Sequence, residues 1–167
     1  MTKIENKQEN TESNELQGLN GWLILVGLGI LIAPIRMIVF LYTNYIEIFN
    51  TGIWEALTTS GTEFYVVGFG SLLMVEVSIN ILLLFSTIYL AYLFFTKKAL
   101  FPKLYMAIVI FSFIFIIIDS YVASLVFPEE KIFDKETLRE LAKSAIAVFI
   151  WVPYMLTSKR VKATFVN

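Results

Sequence analysis

From Gly68 to Phe95 the chain reads GFGSLLMVEVSINILLLFSTIYLAYLFF, an apolar run long enough to cross a bilayer that nonetheless carries a carboxylate, Glu76, and an amide, Asn80. A run of about 20 apolar residues spans the hydrocarbon core as a helix, and Glu76 and Asn80, four residues apart, share one face of it. A carboxylate at the centre of a span costs about 2.5 to 3.5 kcal/mol on insertion scales. Such a group therefore faces protein or water and has a partner.

Composition places the whole chain in the same solvent. Of 167 residues, 57% are hydrophobic and 16% charged, with mean hydropathy +0.74, values of a multi-pass membrane protein. The chain has neither cysteine nor histidine. A disulfide, a thiolate nucleophile and the commonest zinc ligands and general base are therefore excluded. No metal and no cofactor is expected. With a net charge of −1 and no broad basic field, nucleic acid is not expected as a partner.

Residues 1–20 are polar and lack apolar periodicity, so they read as a disordered tail. The apolar run that follows is too long for a signal peptide and has no clear small-residue cleavage site, so it reads as a retained span. It covers about residues 21–42, with Trp22 and Tyr42 placed as interfacial anchors. Pro34 is expected to kink this helix, and Arg36 follows two residues later. Gly29 and Ala33 form a small-xxx-small pair that favours close helix approach. Residues 43–67 form a long connection with Glu47, Glu55 and Glu63 and no basic residue, read as an interfacial loop that packs its aromatics.

Spans follow at about residues 68–95, 101–127 and 135–156. Pro102 suits the first turn of the third. Asp119 is a charge inside the third span, and Asp134 is placed to cap the fourth. The fourth begins amphipathic, with Lys143 where polar gives way to apolar, and Pro153 is expected to bend its far end. The fold expected is all-α: a membrane domain of four helices over residues 21–157, with a long outer loop after the first and a basic tail over 158–167.

Basic residues set the orientation. Lys97, Lys98 and Lys103 cluster in the second connection, and Lys159, Arg160 and Lys162 in the C-terminal tail. Both termini and the second connection are therefore expected on the cytoplasmic side. The bilayer is the obvious partner. The basic face suits anionic lipid at about 1 kcal/mol per residue, and a second copy or another membrane protein are further candidate partners.

Depth relates the intramembrane charges. At 1.5 Å per residue, Arg36 falls about 9 Å inside the outer end of its span, Glu76 and Asp119 about 12 Å, and Lys143 about 8 to 12 Å. Two cations and two anions at one level predict a mutually paired buried cluster of Arg36, Glu76, Asp119 and Lys143. Asn80 lies one turn deeper, and Ser112 and Ser144 are candidate hydrogen-bond partners.

Several blocks together carry a family resemblance: GWLILVGLGI, Pro34-Ile35-Arg36, Val75-Glu76, Phe101-Pro102-Lys103-Leu104-Tyr105, Trp151-Val152-Pro153-Tyr154, and, most specific, residues 158–165, SKRVKATF. Over about residues 18–166 the chain resembles the uncharacterised bacterial membrane family catalogued as domain of unknown function 2569. The resemblance implies a four-pass inner-membrane protein and brings no activity with it.

Catalytic readings find little support. Glu76 and Asp119 lack the glycine-flanked motif of intramembrane aspartyl proteases, and Lys143 beside Ser144 is a poor nucleophile pair. No catalytic residue is assigned and no enzyme is expected. Two functions stay in contention: a structural or accessory membrane protein whose charges fix helix register, and a small proton- or cation-coupled transporter or channel-like protein. In the second, Glu76, Asn80 and Asp119 bind the ion and Pro34 and Pro153 act as hinges.

Overall fold

The computed structural model describes residues 17–129 and 132–167; the remainder of the expected N-terminal tail lies outside the described residues. The order is α1 (Trp22–Asn50), α2 (Ile53–Thr58), α3 (Phe69–Phe95), α4 (Phe101–Val126), α5 (Lys135–Thr157) and α6 (Lys159–Thr164). Four of these, α1, α3, α4 and α5, are long and apolar enough to cross a membrane. Membership in the all-α, four-span class follows from their length and composition, as the apolar runs require.

Three spans match their expected ends within two residues, and α1 does not. It continues past Tyr42 to Asn50, because nothing in TNYIEIFN breaks a helix and Leu41, Tyr45 and Ile48 recur on one face that packs against α2 and α3. At 1.5 Å per residue its 29 residues reach about 43 Å, well beyond a 30 Å hydrocarbon core. Gly52, at φ 78°, supplies the left-handed residue that turns the chain into α2. Pro34 and Pro153 both lie inside helices, α1 and α5.

Neighbours in sequence are neighbours in space: α1 packs on α3, α3 on α4, and α4 on α5, with α2 wedged between α1 and α3. Two apolar cores hold the ends. One gathers Leu23, Val26 and Ile30 of α1, Leu90, Leu93 and Phe94 of α3, and Phe101 of α4. The other joins Tyr45 to Phe69 and Leu73 beneath Trp54 and Leu57 of α2. Here Gly70 matters: a Cβ on it would stand 3.1 Å from the Thr58 methyl.

The turn from α3 to α4 is a Schellman motif. Lys98 N–H donates to the Leu93 carbonyl at 2.9 Å and Lys97 N–H to the Phe94 carbonyl at 3.1 Å, which places Lys97 at φ 55° in the position usually taken by glycine. Asp134 caps α5 as expected, accepting from the Thr137 N–H at 2.7 Å.

The C-terminal segment is part of the packed structure. After the Ser158 cap, α6 buries Val161 and Thr164, and Phe165 stacks on Phe101 with ring centroids 4.5 Å apart. The Thr164 hydroxyl accepts from Gly18 N–H at 3.1 Å, and Ala99 N–H donates to the Asn167 carbonyl at 2.7 Å. Residues 158–167 thus close one end of the bundle while displaying Lys159 and Lys162.

Candidate functional site

The polar residues of the α1–α3 seam form a closed hydrogen-bond network. Tyr45 Oη donates to Glu76 Oε1 at 2.6 Å. Asn80 Nδ2 donates back to Tyr45 Oη at 3.0 Å and to the Glu76 main-chain carbonyl at 3.0 Å. Helical spacing creates this geometry: Glu76 and Asn80 are one turn apart on α3, and Tyr45 reaches both from the extended end of α1. Asn80 and Tyr45 are buried, and Glu76 is half-buried. No buried side-chain polar atom is left unpaired among the described residues.

The expected four-charge cluster is not formed among the described residues. Lys143 pairs with Glu140 at 2.5 Å on the exposed face of α5, both side chains about half accessible at 47% and 51%. Three residues apart, the two groups meet on their own helix without crossing to another. Arg36 is exposed, with no ion-pair or hydrogen-bond partner among the described residues. The reason is geometric. Arg36 and Tyr45 are nine residues apart on α1, which at 100° per residue puts them on opposite sides and about 13 Å apart along the axis. Ending α1 at Tyr42 shortened it by two turns and placed Arg36 falsely level with Glu76.

Asp119 stands apart from the network but within electrostatic range of Glu76 and Tyr45. It lies half-buried on a cleft of about 380 Å³ between α4 and α5, beside Ser120, Ser124, Asp134 and Thr137. Ser112 and Ser144, the expected partners, make no hydrogen bond to these residues among the described ones. At the cleft mouth, the Thr137 backbone N–H, with its hydroxyl, holds the Asp134 carboxyl below its ordinary range.

The six basic residues Lys97, Lys98, Lys103, Lys159, Arg160 and Lys162 gather at the opposite end, on the α3–α4 turn, the start of α4 and α6. The small-residue expectation also needs correction. Nothing stands within 4 Å of a Cβ built on Gly29, whereas one on Gly27 would lie 2.9 Å from the Phe94 ring. Gly27 is the point of close approach, and Gly29 and Ala33 line an open crevice.

Tyr45 is the site residue that the sequence reading missed. Its signal was the i, i+4, i+7 series Leu41, Tyr45, Ile48, which carries the helix past its first aromatic anchor. Chemically, the trio offers a phenol, a carboxylate and an amide. That set can hold a proton or fix a helix pair.

Comparison with known proteins finds no match among the curated proteins or among the solved structures. A family model described as a protein of unknown function, DUF2569, matches residues 16–166. Sharing that pattern across nearly its whole length, with four apolar helices to match, the chain belongs to this uncharacterised family of multi-pass membrane proteins.

Proposed function

We propose that this is a non-enzymatic accessory membrane protein, a rigid four-span scaffold in which the Tyr45–Glu76–Asn80 network fixes the register of α1 on α3. The carrying observation is that the intramembrane carboxylate takes its hydrogen bond from Tyr45 of the neighbouring span at 2.6 Å, with Asn80 completing the ring. A polar group in a span pairs most economically with a polar group of the next one, and the pair then selects one alignment of two otherwise featureless apolar helices. In this reading both termini face the cytoplasm of a bacterial inner membrane. The support is charge: the α6 end carries the six basic residues, while Glu47, Glu55 and Glu63 mark the other end.

The test is unfolding of the purified protein in detergent, comparing wild type with Glu76→Gln, Tyr45→Phe and the double variant. A register lock predicts destabilised single variants and a double variant less destabilised than their sum. Additive losses would sink the reading.

A second reading, a proton or cation pathway, draws on Asp119, which has no hydrogen-bond or ion-pair partner among the described residues and borders the α4–α5 cleft in range of Glu76. It predicts that Asp119→Asn abolishes ion flux in liposomes without loss of fold. Absence of any flux from wild-type liposomes under a pH or cation gradient would remove it.

A further inference from the structure

Below the Trp22–Trp151 contact, where the two rings meet edge-on at 6.3 Å, α1 does not close onto α4 and α5. It leaves a crevice of about 220 Å³ walled by Leu25, Gly29 and Ala33 of α1, Tyr105 and Val109 of α4, and Trp151 of α5. Leu25 is 52% exposed and a Cβ on Gly29 would meet nothing, so the crevice opens sideways, to where lipid lies around a membrane-spanning bundle.

Its dimensions select the occupant. From Leu25 to Ala33 is eight residues, about 12 Å of helix at 1.5 Å per residue. Spread over that length, even the whole free space of about 630 Å³ out to the open side gives a mean cross-section of roughly 52 Å², against about 80 Å² for a helix 10 Å across. A single hydrocarbon chain fits this space and a helix of a second protein does not. The walls suit such a chain, being mostly apolar.

The charge at the nearer end selects the headgroup. Trp151 lies six residues, about 9 Å, from the end of α5, and Tyr105 four residues, about 6 Å, from the start of α4. At that end, residues 92–107 and 154–167 contain six basic side chains and no acid. Lys159 and Lys162 are exposed there on α6. The α6 helix is anchored by Phe165 on Phe101, so these cations are held over the same end of the bundle as the crevice, where an anionic headgroup gains about 1 kcal/mol per basic residue.

We propose that the crevice between α1 and the α4–α5 pair binds one acyl chain of an anionic phospholipid, whose headgroup rests on the basic face of α6. The site is separate from the Tyr45–Glu76–Asn80 network and independent of what that network does. Gly29 is the residue that keeps it open, and a large side chain there fills the space the chain would take.

The experiment is native mass spectrometry of the full chain released from detergent, with dioleoyl phosphatidylglycerol or dioleoyl phosphatidylcholine added. Wild type retains one phosphatidylglycerol in preference to phosphatidylcholine. Gly29→Leu, or Ala33→Leu on the same face, lowers that retention at least tenfold with an unchanged melting temperature in lipid-free detergent. Lys159→Gln with Lys162→Gln erodes the preference between the two lipids and leaves chain binding in place. Equal retention of both lipids by wild type, or undiminished retention by both crevice variants, overturns the proposal. So does efficient disulfide linkage of a Gly29→Cys variant, since the chain has no cysteine of its own and such a product would seat a second copy on this face.

Discussion

The Tyr45 phenol donates to the Glu76 carboxylate at 2.6 Å across the α1–α3 seam while accepting from the buried Asn80 amide. Tyr45→Phe removes a donor and an acceptor together and leaves Asn80 with the Glu76 carbonyl alone. Polar contacts between spans average about 0.6 kcal/mol and reach about 1.7. A loss near the upper end of that range, about 1.5 kcal/mol, is expected because two bonds go at once. Equilibrium unfolding in mixed micelles measures it.

Two glycines two residues apart on α1, and so on opposite sides of the helix, respond oppositely to alanine. Gly27→Ala drives a methyl into the Phe94 ring, 2.9 Å away, and Phe94 is itself 2% exposed and unable to yield. Overpacking of this kind costs about 1 to 3 kcal/mol. Gly29→Ala meets nothing and gains helix propensity worth up to about 1 kcal/mol. Melting temperatures of the two variants should move in opposite directions, and a common direction would contradict the packing described.

Lys97 occupies the left-handed position of the Schellman motif at φ 55°, a conformation costing a residue with a Cβ about 1 to 2 kcal/mol. Lys97→Gly relieves that strain, and a stabilisation of about 1 kcal/mol is expected in thermal unfolding. Lys97→Val, β-branched, should destabilise.

Asp134 caps α5 as a carboxylate whose affinity for a proton is depressed, first by the Thr137 backbone N–H. A depressed folded-state value means that the cap contributes stability above the ordinary carboxylate range, about pH 3.9, and loses it as pH falls through the lower folded value. Hydrogen exchange at the first turn of α5 should therefore show protection that declines below about pH 4. Asp134→Asn keeps the cap and should remove that pH dependence.

Phe165 is 5% exposed, stacked on Phe101 and close to Phe94 at 5.8 Å. Phe165→Ala is expected to cost about 3 kcal/mol and to release α6, read out as rapid proteolysis after Lys159, Arg160 or Lys162. A merely appended tail would show neither effect.

Much of the architecture was legible in the chain. Apolar runs longer than a bilayer is thick force four helices, because an unpaired backbone cannot sit in hydrocarbon. The ends of α3 and α4 fall at Thr96-Lys97-Lys98 and Phe101-Pro102, where basic residues and proline mark the interface. The Asp134 cap was equally local, a side chain and an N–H three residues apart. These features depend on neighbours in sequence, so sequence exhibits them.

The partners of Glu76 were not local. Matching charges by depth assumed that α1 ended at Tyr42, and a two-turn error in one helix exchanged a tyrosine for an arginine. The seam chose Tyr45 because its face of α1 is the apolar one, continuous with Leu41 and Ile48, and a neutral phenol is cheaper to place beside a half-buried carboxylate than a guanidinium brought across the helix.

By itself, then, the sequence determined the solvent, the class and the number of spans of this protein, through apolar length and the positions of its breaks. Only the tertiary structure decided that Glu76 answers to Tyr45, that Gly27 packs where Gly29 opens, and that the last ten residues close the bundle. Each is a contact between segments far apart in the chain: 31 residues separate Tyr45 from Glu76 and 146 separate Gly18 from Thr164. Such contacts depend on helix rotation and length, which hydropathy leaves free and side-chain packing fixes.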